Sequence, residues 1–384
     1  MKKLKAVIFI QLLTFAINLH SVFAESLSSP TYKYSIDLPE GFSLVNKSSD
    51  NKSYLFSNKD FDILAAITIY NSSIYKTPQE ALENFLKKNN AIFETELVHW
   101  RKQNAAIAQF TMTVSGYEMS GYAESAFLSD KKNIIIFASW TFSQQSEANG
   151  ALIISALDSL CIDRSSSFES GIFTSYLYPS QNKLIDFEVE IDGIKIASKI
   201  DSTAQESSDY LIEREYNVLC RYASSPKWKD AWCRYYKMIY RDSTKKLQRL
   251  AFDIYNTLSP LCDDETDLAQ KLLFWTQNFT YEREKTSSDF ASLPSIVLGS
   301  GSDCDSRSML LAVLLNQMNM DSIIFVSAQY SHAMAGLVSL HPGISINVNG
   351  KKYLTGETTA KGLTWGKISQ DMSDISKWIP VEFN

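Results

Sequence analysis

A cysteine at the start of an apolar run is the residue of this chain best placed to do chemistry. Cys304 follows a glycine- and serine-rich stretch that begins at Gly299, and the apolar residues 309–315 come shortly after it. This pattern predicts a buried helix that begins near Cys304. Unpaired amides and the macrodipole at a helix N-terminus favour an anion, so we expect this position to lower the pKa of the thiol. The chemistry it indicates is nucleophilic attack by a thiolate.

A catalytic base for this thiol must come from a small set of histidines. The sequence has four, and His20 falls in the apolar leader described below. His332 begins a predicted strand a short connection after the strand that follows the Cys304 helix, whereas His341 lies in a turn and His99 in another predicted domain. We therefore interpret His332 as the base.

The next carboxylate at a strand end is Glu357, which follows a predicted hairpin whose Asn349-Gly350 turn favours the type I′ conformation. Cys304, His332 and Glu357 then form a cysteine triad by role: nucleophile, base and orienting acid. The free amide of Cys304 is a natural oxyanion donor.

A second oxyanion donor is needed, and two residues on the preceding segment are candidates. Either Gln277 or Tyr281 could supply it, and the sequence does not choose between them.

The C-terminal half resembles a known family. The segments "LLFWTQNFTYE", "GSGSDCDSRSMLLAVLLNQMNMD", "SHAMAGL" and "YLTGETTAKGLTWG" are similar, in order and spacing, to bacterial transglutaminase-like domains of the papain-like cysteine fold. The resemblance spans about residues 204–384. It implies a nucleophile helix packed on an antiparallel sheet, with a triad of Cys304, His332 and Glu357. It also implies cleavage or exchange of amide bonds, usually as a peptidase or amidase.

Three positions depart from the pattern of that family. Ser302 stands where a glycine usually precedes Asp-Cys, Met334 where a tryptophan often follows His-Ala, and Glu357 where the acid is commonly aspartate. A carboxylate with one more methylene still reaches an imidazole. We expect Met334 to change the wall of the cleft rather than the triad.

The N-terminal half predicts an α/β sandwich. Strands alternate with a helix that opens at a capping box formed by Thr77, Pro78 and Glu80. A second capping box is predicted outside this half, at Thr203 and Glu206. The opening "YSIDLPEGF" and the order of elements resemble PsbP/Mog1-like domains over about 130 residues. We expect this domain to position substrate or to bind a protein partner, and we assign it no chemistry.

The beginning of the chain has the pattern of a secretory signal peptide: basic residues, an apolar stretch, and small residues before a cut after Ala24. We therefore expect an exported protein, periplasmic or secreted, without membrane insertion after cleavage. The predicted organisation is α+β, with a signal peptide (1–24), an N-terminal α/β sandwich domain (25–164), a linker with a β-hairpin (165–203) and a transglutaminase-like domain (204–384).

Charge and cysteine content narrow the function classes. The net charge is −6 and becomes three units more negative without Lys2, Lys3 and Lys5, so the chain lacks the excess of basic residues that nucleic-acid binding favours.

The cysteine count bears on disulfide pairing. An odd number of cysteines leaves at least one thiol unpaired if the others pair within the chain. Cys220 with Cys233 is the favoured pair; free thiols at Cys161, Cys220, Cys233 and Cys262 are the alternative.

The predicted function is hydrolysis of peptide or isopeptide amide bonds by an exported cysteine enzyme that needs no cofactor or metal. A non-catalytic envelope interaction protein that keeps the same fold is the alternative. A zinc site at Cys304 and His332 is less favoured, because paired-ligand spacing is absent from the sequence.

Overall fold

The computed structural model describes residues 27–283 and 288–383. The predicted signal peptide, residues 1–24, lies outside the described residues. The chain divides between Asp163 and Arg164 into two compact units. Both contain helices and strands, so the α+β class predicted from the sequence is confirmed at that level.

The first unit, residues 27–163 of the described chain, is rich in strands. Its elements are β1 (Leu27–Ser28), β2 (Ser35–Ile36), β3 (Phe42–Lys47), β4 (Ser53–Asn58), β5 (Ile63–Asn71), α1 (Pro78–Lys88), β6 (Ile92–Trp100), β7 (Gln103–Val114), β8 (Tyr117–Phe127), β9 (Asn133–Phe142) and α2 (Ser146–Asp158). Within the described residues, seven of these strands form an antiparallel sheet in the order β3-β4-β5-β9-β8-β7-β6.

Helices cover both faces of this sheet. Leu82 and Phe85 of α1 pack against alternate residues of β9, including Ile134 and Ile136. The other face of β9 meets α2, where the Asn149 amide donates to the Thr141 hydroxyl at 3.0 Å. The period of two along a strand therefore divides one strand between two helices.

The predicted cap of α1 is confirmed. Thr77 precedes the helix in extended conformation, and its hydroxyl accepts from the Glu80 amide at 3.1 Å. Pro78 occupies the first helical position, where its missing N–H costs no hydrogen bond. The Glu80 carboxylate accepts from the Lys76 amide at 2.8 Å, one residue earlier than in an ideal capping box.

The second unit, residues 164–383 with residues 284–287 outside the description, combines a helical layer with a smaller sheet. Its elements are α3 (Ile172–Leu177), β10 (Leu184–Ile191), β11 (Ile194–Asp201), α4 (Ala204–Cys220), α5 (Trp228–Leu258), α6 (Glu265–Gln277), α7 (Leu293–Val297), α8 (Cys304–Gln317), β12 (Ser322–Ser327), β13 (His332–Val338), β14 (Ser345–Val348), β15 (Lys351–Gly356) and β16 (Ile379–Val381).

The apolar helix α8 forms the centre of this unit. Residues 309–315 are all fully buried, which explains why the run carries no polar face. They pack on strands of an antiparallel sheet with the order β14-β15-β13-β12-β16 in the part of the chain that the structure describes. Ala333, Ala335 and Leu337 of β13 belong to the same core. Helix α8 is thereby held with its first residue near the start of β13.

Two tight turns follow the sequence pattern. Asn349 and Gly350 both adopt positive φ values, 51° and 83°, as a type I′ turn between β14 and β15 requires. Asp192 and Gly193 do the same between β10 and β11, at 53° and 74°. The hairpin β10–β11 lies in the predicted linker segment, yet its apolar residues belong to the core of the second unit.

The capping box predicted at Thr203 is not formed. Thr203 precedes α4, but no side-chain bond caps the helix there. The Thr203 hydroxyl donates instead to the Asp201 carboxylate at 2.8 Å, and the Thr203 amide donates to the same oxygen at 2.9 Å. An aspartate two residues earlier therefore captures the group that the pattern assigns to the helix.

Candidate active site around Cys304

Cys304 is the first residue of α8, as the sequence predicts. Asp303 caps the helix: its carboxylate accepts from the Ser306 amide at 3.0 Å, and the Ser306 hydroxyl accepts from the Asp303 amide at 3.1 Å. This reciprocal cap fixes the first turn. The amide of Cys304 has no partner within the helix because it belongs to the first turn.

The loop before Cys304 is held by a short bridge to the segment after α6. The Ser302 amide donates to the Thr280 carbonyl at 3.0 Å, and the Glu282 amide donates to the Ser302 carbonyl at 3.1 Å. Tyr281 lies between these two bonds. The bridge brings Tyr281 alongside the nucleophile loop.

Arg307 ties together the segments that surround the site. Its guanidinium is buried and donates to the Ser302 hydroxyl at 2.9 Å, to the Phe279 carbonyl at 2.8 Å and to the Thr358 carbonyl at 3.4 Å. It also lies 5.3 Å from the centre of the Tyr281 ring. The departure at Ser302 is thus accommodated, since its hydroxyl accepts from Arg307.

His332 and Glu357 meet at the ends of neighbouring strands. His332 begins β13, Glu357 follows β15, and these strands pair in antiparallel register. The Nε2 atom of His332 lies 2.8 Å from Oε2 of Glu357. Thr359 donates to the other carboxylate oxygen through its amide at 2.8 Å and its hydroxyl at 2.6 Å.

These bonds determine the charge of the buried carboxylate. Burial raises the pKa of Glu357, but the hydrogen bond and charge of His332 and the two bonds from Thr359 outweigh it, and the pKa lies below its ordinary value. Glu357 is therefore an ionised acceptor for the imidazole. With Nε2 engaged, Nδ1 is the ring nitrogen available to the thiol.

The thiol lies against the start of β13. The Ala333 amide, directly after His332, donates to the Cys304 sulfur. The thiol itself donates to Oδ1 of the neighbouring Asp305 at 3.0 Å, and the Tyr236 hydroxyl donates to the other Asp305 oxygen. The structure thus brings Cys304 next to the residue predicted as its base.

The prediction that the Cys304 thiol has a lowered pKa is wrong. Cys304 is 4% exposed. Burial raises its pKa well above the ordinary value, and the charge of Asp305, the Asp305 hydrogen bond and the charge of Asp303 raise it further; the Ala333 amide lowers it. The charges of Asp305 and Asp303 beside the helix start therefore oppose the effect of the macrodipole on the thiol.

Asp303 is itself perturbed. Burial and the charge of Asp305 raise the pKa of its carboxyl to about 7, although the Ser306 bonds act in the opposite direction. Its second oxygen, Oδ2, is buried without a hydrogen-bond partner. Such a carboxyl exchanges its proton near neutral pH rather than in acid.

The two candidates for the second oxyanion donor differ in the structure. The Gln277 amide donates to the carbonyls of Glu357 and Leu363, both at 2.8 Å, and its oxygen accepts from the Gly362 amide at 2.9 Å. Gln277 is therefore fully used in holding the loop after Glu357 and cannot serve as the donor. Tyr281 is 51% exposed and close enough for Cys304 to affect the pKa of its phenol, so it remains the candidate.

Burial corrects the expectation for Met334, and one aromatic residue near His332 was not expected from the sequence. Met334 is fully buried among apolar residues that include Phe325 and Tyr353, so it does not line a cleft. Trp378, which no sequence pattern predicted at this site, lies 6.2 Å from His332 between ring centres and donates from its indole to the Met372 carbonyl at 3.1 Å. No local sequence pattern marks Trp378. It directly precedes β16, and the pairing of β16 with β12 in the sheet brings it to the site.

The other described histidines and the other cysteines make none of the contacts described for this site. His99 is exposed on β6 of the first unit, and His341 is exposed after β13. All five cysteines are free thiols, so the favoured Cys220–Cys233 pair is not formed. The Cys233 thiol faces the Pro380 carbonyl at 3.9 Å instead.

Neither a metal cluster nor a membrane span is found in the described part of the chain. There, no three His, Cys, Asp or Glu side chains are grouped so that they could hold a metal ion. None of the described helices has the length and apolar character needed to cross a bilayer.

No protein-family model matches the sequence, and the search of curated proteins found no match. Among solved structures, the chain is similar to cyanobacterial PsbP from Synechocystis sp. PCC 6803, with 14% identity, a TM-score of 0.31, and coverage of 39% of this chain and 98% of that one.

Two further structures are similar to the chain. The Saccharomyces cerevisiae Ran-binding protein Mog1p has 7% identity, a TM-score of 0.28, and coverage of 38% of this chain and 98% of that one. A Bacteroides thetaiotaomicron VPI-5482 protein has 10% identity, a TM-score of 0.27, and coverage of 86% and 88%. PsbP and Mog1 are the families that the N-terminal half resembles in sequence. At these TM-scores we draw no functional conclusion, and the comparisons add nothing to the transglutaminase-like resemblance.

Proposed function

We propose that this chain is an exported transglutaminase-like cysteine hydrolase, a peptidase or amidase that acts on peptide or isopeptide amide bonds. Cys304 is the nucleophile, His332 the base and Glu357 the orienting acid. The observation that carries the proposal is the 2.8 Å bond between His332 Nε2 and Glu357 Oε2, next to a thiol at the first residue of a helix. The packing of α8 on an antiparallel sheet supports a papain-like fold for the second unit.

The proposed reaction proceeds by covalent catalysis. Nδ1 of His332 takes the proton of the Cys304 thiol, and the thiolate attacks the amide carbonyl carbon. The oxyanion accepts from the Cys304 amide and from Tyr281. The tetrahedral intermediate collapses as His332 protonates the leaving amine. Water, deprotonated by His332, then attacks the thioester, which releases the acid and restores the thiol.

The proposed setting follows from the leader and the charge. The signal-peptide pattern supports export to a periplasm or to the medium, where a peptide or protein of the cell envelope would be the substrate. The net charge of −6 argues against a nucleic-acid partner. The first unit would position the substrate or bind a protein partner.

A second candidate function is favoured by the burial of the nucleophile. A thiol that is 4% exposed and held by Asp305 is also what a non-catalytic envelope interaction protein would retain. In that case the fold serves binding, and replacement of Cys304 by alanine leaves the biological role intact.

Amide hydrolysis by purified protein tests the two candidates. We expect a peptide library to be cleaved by the wild type and left intact by Cys304→Ala. His332→Gln should lose about 100-fold or more in rate because it removes the base. His341→Gln, a change of the same kind at an exposed histidine, should stay within about twofold.

A primary amine added to the reaction distinguishes hydrolysis from transamidation. Hydrolysis gives the free acid, whereas transamidation gives the amide of the added amine, and mass spectrometry separates the two products. Equal rates for wild type and Cys304→Ala, or no cleavage together with a full biological role for Cys304→Ala, would favour the binding function.

A further inference from the structure

The nucleophile is bonded to a carboxylate that the proposed reaction does not use. Asp305 follows Cys304 in the first turn of α8, and one of its oxygens accepts from the thiol at 3.0 Å. The other oxygen accepts from the hydroxyl of Tyr236, a buried residue of α5. Two elements of the second unit therefore converge on one carboxylate, whose orientation towards the sulfur is fixed.

Several charged or titratable groups face the sulfur from the elements packed around it. Those that interact with the sulfur are the cap residue Asp303, Asp305 and Arg307 of α8, and Tyr281 and Arg283 of the segment after α6. Around them lie Tyr235 and Tyr236 of α5, which interact with Asp305, and the bonded pair of His332 in β13 and Glu357 after β15. Among these, Asp305 has a direct hydrogen bond to the thiol. A carboxylate cannot donate, so this bond requires the sulfur to carry its proton.

We infer that Asp305 is a positioning residue that holds Cys304 as a neutral thiol in the resting protein, with Tyr236 fixing the carboxylate in place. The inference rests on the proposed function for its role in catalysis, but the contact itself does not. The thiolate would face the full charge of Asp305 at hydrogen-bond distance. A carboxylate is also far too weak a base to remove the proton of a thiol.

Activation then requires a change at Asp305. When the carboxylate turns from the sulfur or is neutralised by a cationic group, the S–H bond breaks and the proton passes to Nδ1 of His332. The products are a thiolate and an imidazolium, and no other reactant is consumed. The raised pKa of the Cys304 thiol is consistent with a resting state in which this transfer has not occurred.

Alkylation of Cys304 by iodoacetamide as a function of pH tests the inference in the full-length protein. Peptide-resolved mass spectrometry separates Cys304 from the other thiols, and the exposed Cys220 provides an internal reference. We expect Asp305→Asn to move the midpoint of the profile down by about one unit or more, which makes alkylation at about pH 7 roughly tenfold faster. Asp305→Glu keeps the charge and should remain slow.

A matched control removes a nearby carboxylate that does not touch the thiol. Asp289 pairs with Arg283 at 2.6 Å, and Asp289→Asn should change the Cys304 rate by less than about twofold. The inference fails if Asp305→Asn is as slow as the wild type, or if Asp289→Asn accelerates alkylation equally. An unchanged Cys220 rate and a cooperative thermal transition establish that the variants are folded.

Charged reagents give a second readout. A trimethylammonium methanethiosulfonate should react with Cys304 faster than its sulfonate analogue in the wild type, and Asp305→Asn should reduce that ratio. Neither readout requires amide hydrolysis. Faster alkylation without any cleavage of amides would refute the proposed function and leave the role of Asp305 standing, whereas cleavage with an unchanged profile would do the reverse.

Discussion

The side chains at the start of α8 illustrate how burial, more than position on a helix, decides protonation. Asp303, Cys304 and Asp305 are consecutive, and two of them are buried while the third is half-buried. Both carboxylates raise the pKa of the Cys304 thiol, and Asp305 also raises the pKa of Asp303, which the bonds from Ser306 offset only in part. Glu357 is the contrasting case, since donors from His332 and Thr359 keep its pKa low despite burial.

The raised pKa of Asp303 predicts a pH-dependent stability. A carboxyl whose pKa is about 7 when folded contributes stability below the ordinary aspartate range, and this contribution is lost as pH rises through about 7. Asp303→Asn keeps a capping side chain but cannot ionise. We expect the free energy of unfolding of the wild type, relative to Asp303→Asn, to fall by on the order of 2–4 kcal/mol between about pH 4 and about pH 8.

Urea unfolding at a series of pH values measures this difference. Asp305→Asn serves as the comparison, because removal of its charge should lower the pKa of Asp303. The loss of stability with rising pH should then be smaller than in the wild type and should end at a lower pH. Parallel curves for the wild type and Asp303→Asn would contradict the assignment.

At the scale of elements, local patterns predicted the turns and caps that depend only on neighbouring residues. Asn349-Gly350 forms its type I′ turn because both residues tolerate positive φ. Thr203 fails as a cap because Asp201 competes for its hydroxyl. Gln277 could not be assigned from the sequence, because its partners Glu357, Gly362 and Leu363 are distant in the chain.

The end of β15 depends on a close approach between a glycine and an indole ring. A Cβ on Gly356 would lie 2.4 Å from an atom of the Trp365 ring. Trp365 is buried, and its backbone amide donates to the side-chain oxygen of Gln270 at 3.1 Å. We expect Gly356→Ala to lower the free energy of unfolding by about 1–3 kcal/mol, because the ring must move. The displacement also reaches Glu357, so the rate of amide cleavage should fall.

The matched control is Gly150→Ala in α2, where a new Cβ meets no atom within 4 Å. That change should be neutral or stabilising, since alanine favours a helix. Thermal melting of both variants makes the comparison, and equal melting temperatures would contradict the packing argument at Gly356.

At the scale of the whole molecule, the candidate triad lies within the second of two units. The residues that contact Cys304, His332 and Glu357 all belong to the second unit, and the core beneath them is built from residues of that unit. The first unit has its own sheet and its own core. The sequence anticipated the α+β class and the order of strands around Cys304. It did not anticipate that the hairpin after Asp163 supplies core residues.

This division predicts that the second unit keeps its site without the first. We expect a chain of residues 164–384 to alkylate at Cys304 within about twofold of the full-length rate, because the bonds from Asp305, Tyr236 and Ala333 are internal to it. Peptide-resolved mass spectrometry measures the rate. A fragment that folds cooperatively but reacts at Cys304 like an unfolded chain would show that the site depends on residues before 164.

The free state of all five thiols has a consequence for how the protein responds to oxidants. Peroxides oxidise a thiolate far faster than a neutral thiol, and exposure decides which sulfur they reach. Cys220 is exposed at the end of α4, whereas Cys304 is buried and protonated. Oxidative damage would therefore fall first on Cys220, and the sulfur that matters for the proposed reaction would be among the last to be lost.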